Sequence, residues 1–282
     1  MSGLTKSELL RRLEAAGMRP SKALGQNFLI DANVAQRIAR LASDGGDRRY
    51  IEVGPGAGAL TVALAPLAEA VLAIEADRYV IPILFDVLAQ REISNVRVLH
   101  QDVMDFSWRN ELGQGASYCL CANLPYNIAA TLIVRILEEV PSIDRLVVMV
   151  QDEVGRRIAS DAGTRQYSGV SAKVAYWATT KIAFSVSPSV FFPQPNVESV
   201  VIDVTRRAVA PISGVTYGLF SDIIKAGFSR RRQMLRRSLA GIADVGILDS
   251  VGIDPSLRAE RLSYLDFLKI AEALVESDRG RE

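Results

Sequence analysis

Apolar residues follow two rhythms along this chain. Short, nearly continuous apolar runs occupy residues 50–54, 71–75, 96–100, 117–122 and 145–150. Between them lie stretches whose apolar positions recur every three or four residues: 5–17, about 31–41, 59–67, 79–90, 128–137 and 153–158. Runs of the first kind suit strands covered on both faces, and the spacing of the second kind suits amphipathic helices. Strict alternation of the two predicts an α/β fold with a parallel, doubly wound sheet.

After Tyr167 the pattern changes. Residues 170–177 fit a helix or a strand, while 181–186 and 199–204 read as strands that would add antiparallel members to the sheet edge. A border falls within 207–213, near Pro211 and Gly214. Helical periodicity then runs to the end, over 220–227, 231–239, 256–261 and 264–275. The expected organisation is a large α/β domain, 1–207, and a small all-helical domain, 208–282.

Composition adds three limits. With 49% apolar and 23% charged residues among 282, the chain is an ordinary globular protein, and no apolar run reaches membrane-spanning length. The first residues carry no signal-peptide core, so a cytoplasmic setting is expected. Cys119 and Cys121 share one face of a strand and read as core. With them, a single histidine, His100, leaves too few soft ligands for zinc, so no metal is expected.

Net charge is only +1, but its distribution is uneven. Residues 51–150 carry 6 Lys and Arg against 12 Asp and Glu, whereas residues 1–50 carry 9 against 5. Five arginines fall within residues 230–237 with no acid among them. That run is either a solvated helix face, with Phe228, Met234 and Leu235 turned to the core, or a contact for a polyanion.

The chemistry is best read at strand ends. Gly54-Pro55-Gly56-Ala57-Gly58 forms a turn after the first run, where missing side chains let a nucleotide-like ligand approach the backbone. Its spacing, G-x-G-x-G, is not that of dinucleotide binders. Glu75 ends the second run, where a carboxylate can grip both ribose hydroxyls. Asp102 follows the third and can accept from an adenine amine. This series describes S-adenosylmethionine better than a nicotinamide cofactor.

Asn123-Leu124-Pro125-Tyr126-Asn127 follows the fourth run, and Pro125 forces the chain out of the sheet. It is either a strand-ending turn with a core tyrosine or a base-binding loop, in which an amide meets the base edge and a ring its face. In the second case Asn123 Oδ1 and the Leu124 carbonyl hold an exocyclic amine, and Tyr126 stacks. Phe191, in the stiff Phe191-Phe192-Pro193-Gln194-Pro195 segment, is either a hydrophobic plug or a second stacking ring. Gln26 and Asn27, between two helices, cap backbone or meet a ligand.

Taken in order, these segments resemble the ribosomal RNA adenine dimethyltransferase family, and within it the small-subunit branch. The resemblance runs from Leu24-Gly25-Gln26-Asn27-Phe28-Leu29 through Gln151-Asp152-Glu153-Val154 to the segment 254–263. It implies a Rossmann-like methyltransferase domain with a seven-stranded, mostly parallel sheet. It also implies dimethylation at N6 of two adjacent adenosines in the 3′-terminal hairpin of 16S rRNA, within a pre-30S particle. Cofactor binding then falls to Asn27, Leu29, Gly54, Glu75, Asp102 and Asn123, and the target adenine to Asn123, Leu124, Tyr126 and Phe191.

Asp152 stands where many members carry lysine, and Ser168-Gly169-Val170 departs from a frequent Gly-Arg-Leu, which bears on RNA docking. Leu124 argues against the D-P-P-Y and N-P-P-Y loops of DNA and release-factor methyltransferases. The large-subunit branch, a binding-only assembly factor and a nicotinamide dehydrogenase are the rivals. A monomer is expected.

Overall fold

Among the described residues nine strands form, where the apolar runs predict them and in two places besides. They are β1 (Phe28–Leu29), β2 (Arg49–Val53), β3 (Ala70–Glu75), β4 (Val96–His100), β5 (Tyr118–Asn123), β6 (Ile143–Gln151), β7 (Ala178–Val186), β8 (Phe191–Phe192) and β9 (Ser199–Arg206). The computed structural model describes residues 4–18, 20, 25–44, 49–112, 115–208, 217–230 and 232–279. Lys22, Ala23 and Leu24 of the N-terminal motif, Pro211 and Gly214 at the expected border, and Arg231 lie outside these.

Seven strands make one sheet in the order β4-β3-β2-β5-β6-β9-β7. β4, β3, β2, β5 and β6 are mutually parallel, and β9 runs antiparallel to β6, with Met149 opposite Val201. The α/β class and the mostly parallel sheet are therefore as expected. Strands β5 and β6 are buried almost throughout, which is why they read as apolar runs rather than alternating ones. Cys119 and Cys121 are free and lie in the core.

Helices of the first part are α1 (Lys6–Ala15), α2 (Ala32–Ser43), α3 (Ala59–Leu64), α4 (Ile81–Gln90), α5 (Trp108–Glu111), α6 (Ala129–Glu139) and α7 (Asp152–Ile158). α2 starts where Asp31 accepts from the Asn33 and Val34 N–H groups, and it buries Ala35, Ile38, Ala39 and Ala42 along one stripe. α6 buries Leu132, Ile133, Ile136 and Leu137. Its C-terminal carbonyls are satisfied by one side chain: the Arg206 guanidinium donates to Ile136, Leu137 and Val140, and also to Ile143.

The remaining helices are α8 (Gly169–Trp177), α9 (Tyr217–Ser229), α10 (Leu235–Ser238), α11 (Val245–Ser250) and α12 (Tyr264–Arg279). The chain divides into two compact units, Met1–Gly155 with Lys181–Arg206, and Arg156–Thr180 with Arg207–Glu282. Residues 156–180 thus join the helical unit, across the single border expected at 207. The reason is the core of that unit: Tyr167, Ala172 and Tyr176 pack with Phe220, Ile224, Leu239 and Phe267. Segment 170–177, open between helix and strand in the sequence, is helical because Ser168 and Ser171 form a reciprocal capping box at its start.

Two expected helices are shorter than their patterns. Among the described residues of 231–239 only Leu235–Ser238 is helical, and Arg230, Arg232 and Gln233 lie in a turn. Arg230 and Arg232 are therefore not on a helix, whereas Arg236 and Arg237 are on α10. Leu235 is buried as expected, but Met234 is exposed. In 256–261 only a short 3-10 turn, Ala259–Arg261, forms, because Asp254 accepts from both the N–H and the hydroxyl of Ser256 and holds a tight turn. Among the described residues no helix is long and apolar enough to cross a membrane.

Candidate functional site

Chain order along the sheet reverses between β2 and β5, and open α/β sheets bind ligands in the crevice at such a point. A cavity of about 900 Å³, open mouth included, lies there. Gly54 comes from the end of β2, Glu75 and Ala76 from β3, Gln101 to Val103 from beyond β4, and Asn123 to Ile128 from β5 and the loop after it. Gly25 to Phe28 close the remaining side. One cavity thus brings together Asn27, Gly54, Glu75, Asp102, Asn123, Leu124 and Tyr126.

Leu29 and Phe191 are placed differently. They are register partners in the antiparallel pair β1–β8, both are buried, and neither lines the cavity. The strand pair holds their neighbour Phe28 against the glycine turn instead. A Cβ on Gly56 would stand 2.9 Å from the Phe28 ring, and Gly56 has φ +55°, so both space and backbone require glycine there.

Glu75 is 6% exposed and held on two sides. One carboxylate oxygen accepts from the Gly56 N–H at 3.0 Å and the other from the Asp77 N–H at 2.9 Å. Burial raises its pKa, and these two N–H groups act the other way. The glycine turn is thus tied to the carboxylate that the sequence singles out. Asp77 extends the network, since Gln26 Nε2 donates to it at 2.7 Å. The exposed Asp102 accepts from the Met104 N–H.

Glu52, two residues before Gly54, is buried with one oxygen lacking a hydrogen-bond partner among the described residues. Burial pushes its pKa up to about 8; the Thr61 hydroxyl opposes this and the Glu75 charge adds to it. Between the ordinary 4.5 and about 8 the unfolded chain has lost a proton that the folded chain keeps. Rising pH through that window therefore favours unfolding, by up to about 1.4 kcal/mol per pH unit. Denaturant melts at pH 5 and pH 8 should show wild type losing more stability than Glu52→Gln. Equal losses would refute a neutral Glu52.

At the mouth, Asn123 Nδ2 donates to the Asn27 carbonyl at 3.1 Å. That bond fixes the amide plane and leaves Oδ1 as the atom turned to an incoming donor. The Leu124 N–H donates to the Met149 carbonyl, anchoring the loop to β6, and the Pro125 carbonyl accepts from Ile128 and Ala129 N–H groups, so the chain turns directly into α6. Asn27 holds its own turn, its Nδ2 donating to Gly25 at 3.2 Å. The Tyr126 ring is half-buried, and its hydroxyl lies 3.0 Å from that of Ser199. Burial raises the Tyr126 pKa, with the Ser199 hydroxyl opposing.

Sequence reasoning gave no role to Ser199, Asp77 or Gln26 as a latch. Ser199 ends the same stiff segment as Phe191, and Asp77 lies two residues after Glu75. Both were visible as neighbours, while their contacts join positions 73 and 51 residues apart.

Comparison with known proteins gives a consistent picture. The family model described as Ribosomal RNA adenine dimethylase matches residues 18–276. The ribosomal RNA small subunit methyltransferase A of Geobacillus thermodenitrificans is 37% identical over 286 residues, covering 97% of this chain and 96% of the relative. A dimethyladenosine transferase from Plasmodium falciparum shares the fold with TM-score 0.75 at 22% identity, over 89% of this chain and 98% of that one. The 23S rRNA methyltransferase ErmE does so with TM-score 0.68 at 23% identity, over 88% and 100%.

Proposed function

Because the chain belongs to the ribosomal RNA adenine dimethylase family, we propose that it transfers methyl groups to N6 of two adjacent adenosines in the 3′-terminal hairpin of 16S rRNA, within a pre-30S particle in the cytoplasm. The observation that carries this reading is the mouth of the cavity. An amide oriented by the Asn27 carbonyl and a tyrosine ring pinned at its far end line the same cavity as the glycine turn and Glu75.

S-adenosylmethionine suits the cavity as methyl donor, because a glycine-rich turn and a buried carboxylate at successive strand ends suit a nucleoside without phosphates. Its ribose hydroxyls fall to Glu75 and its adenine to Asp102, with Asn27, Leu29, Gly54 and Asn123 completing the binding set. Leu29 acts from behind the wall. When bound, the donor supplies a methyl group on a cationic sulfur, and no metal is invoked.

The acceptor amine is a poor nucleophile, its lone pair being delocalised into the ring. Asn123 Oδ1 and the Leu124 carbonyl accept its hydrogens, turn the nitrogen pyramidal and hold it in line with the methyl group. Each transfer replaces one N–H with N–CH3 and releases one proton to solvent. Tyr126 covers one face of the base. The facing role falls to Phe191 once its ring, 3% exposed here, is uncovered. One chain supplies every group invoked, so a monomer suffices.

Tritiated methyl transfer to unmethylated 30S and 50S particles, followed by mapping, tests the reading. Label in two adjacent adenosines near the 3′ end of 16S rRNA is expected. Label confined to 23S rRNA would assign the protein to the large-subunit reaction instead.

A further inference from the structure

Ser199 is fully buried at the start of β9, and its position is set by backbone on both sides. It pairs in register with Gln151 of β6, and the Asp152 N–H donates to the preceding carbonyl, that of Glu198, at 3.0 Å. Tyr126, in contrast, sits in the loop after β5 and borders the cavity. The two hydroxyls are 3.0 Å apart, a bond in which either can donate. A tyrosine ring turns about two side-chain torsions; a bond at its hydroxyl fixes where the far end of the ring sits, and so χ1, while the ring's rotation about its own axis follows only through the preference of the phenolic O–H for the ring plane. Because the hydroxyl is turned into the protein, the ring offers a ligand its face and not its oxygen.

We propose that Ser199 is a positioning residue that holds the Tyr126 ring for the second of two successive methyl transfers; this rests on the function proposed above. The first acceptor is an amino group with two hydrogens, and Asn123 Oδ1 and the Leu124 carbonyl can take one each. The second acceptor is a methylamino group with one hydrogen left, so one of those bonds is no longer available. Face contact with a ring does not depend on how many N–H groups remain. Orientation of the monomethylated base therefore leans more heavily on the Tyr126 ring, and hence on the side chain that fixes it. Sheet anchorage makes Ser199 a more rigid support than a loop residue.

The test is nucleoside mass spectrometry of 30S particles methylated for increasing times by wild type, Ser199→Ala, Ser199→Thr and Tyr126→Phe. Ser199→Ala is expected to slow the second transfer about tenfold and the first only about twofold, so that N6-methyladenosine accumulates. Ser199→Thr, which keeps the hydroxyl, should restore the wild-type product ratio. Tyr126→Phe removes the same bond from the other side without touching β9, and should reproduce the accumulation even if Ser199→Ala folds poorly. Equal slowing of both steps in Tyr126→Phe, or an unchanged ratio, would overturn the proposal while leaving the reaction itself intact. Absence of any methyladenosine with wild type would overturn the underlying function, and this proposal with it.

Discussion

Asn123→Ala is expected to slow methyl transfer by about 10²–10³-fold, the effect of removing one preorganised polar group at a reacting centre. The donor Kd should change much less, by about tenfold at most, because the proposed donor site draws mainly on Gly54, Glu75 and Asp102. The structure gives a specific reason for the large factor. Asn123 Nδ2 is already committed to the Asn27 carbonyl, so the amide reaches the reaction oriented and costs little to reorganise. Single-turnover kinetics at saturating donor and titration of donor binding by calorimetry separate the two quantities. A variant that turns over normally would remove Asn123 from the chemistry. One that loses rate only through donor affinity would make it a binding residue.

Glu75→Ala should produce the complementary defect, a donor Kd raised about 10²-fold, as expected for two hydrogen bonds to a charged acceptor worth about 1.5 kcal/mol each. Part of that loss is indirect. The carboxylate also accepts from the Gly56 and Asp77 N–H groups, so the alanine variant loosens the turn that forms the floor of the cavity. Glu75→Gln keeps one acceptor oxygen and most of the shape, and is expected to fall between the two. Calorimetric titration of S-adenosylmethionine and of its demethylated product into each variant checks this, with thermal melts confirming that the chain remains folded. A Kd within twofold of wild type would rule out the ribose role for Glu75.

Both predictions rest on residues that the sequence alone singled out, and the reason is topological. Parallel strands buried on both faces are written as apolar runs, and the first polar residue after each run falls at the sheet edge where ligands sit. Gly54, Glu75, Asp102 and Asn123 stand at or just past the ends of four such runs, and the fold gathers them. Contacts between distant short segments were not legible. β1 and β8 have two residues each, too few for any periodicity, yet their pairing decides that Leu29 and Phe191 are buried together.

The run at 230–237 misled for another reason. Spacing of arginines suits a helix, but helical spacing in a polar stretch carries no packing information, and among its described residues only those from Leu235 on are helical. The segment 156–180 follows the strand–helix alternation closely enough to read as part of the sheet domain. Its aromatic residues Tyr167 and Tyr176 belong to the helical core, a choice made by tertiary packing.

The β1–β8 pair has a consequence for how the protein is made. Phe28 and Phe192 are opposite each other across 164 residues of chain, and the Phe28 wall of the cavity has no strand partner until β8 has left the ribosome. At about 5–20 residues per second, that interval is roughly ten to thirty seconds. Strands β2 to β5 can pair during this time, so the glycine turn and Glu75 are assembled first. The wall around Phe28 and the Ser199 support for Tyr126 arrive together, within eight residues of each other. The cavity proposed for the donor thus gains its Phe28 wall well after its glycine turn and Glu75 have been made.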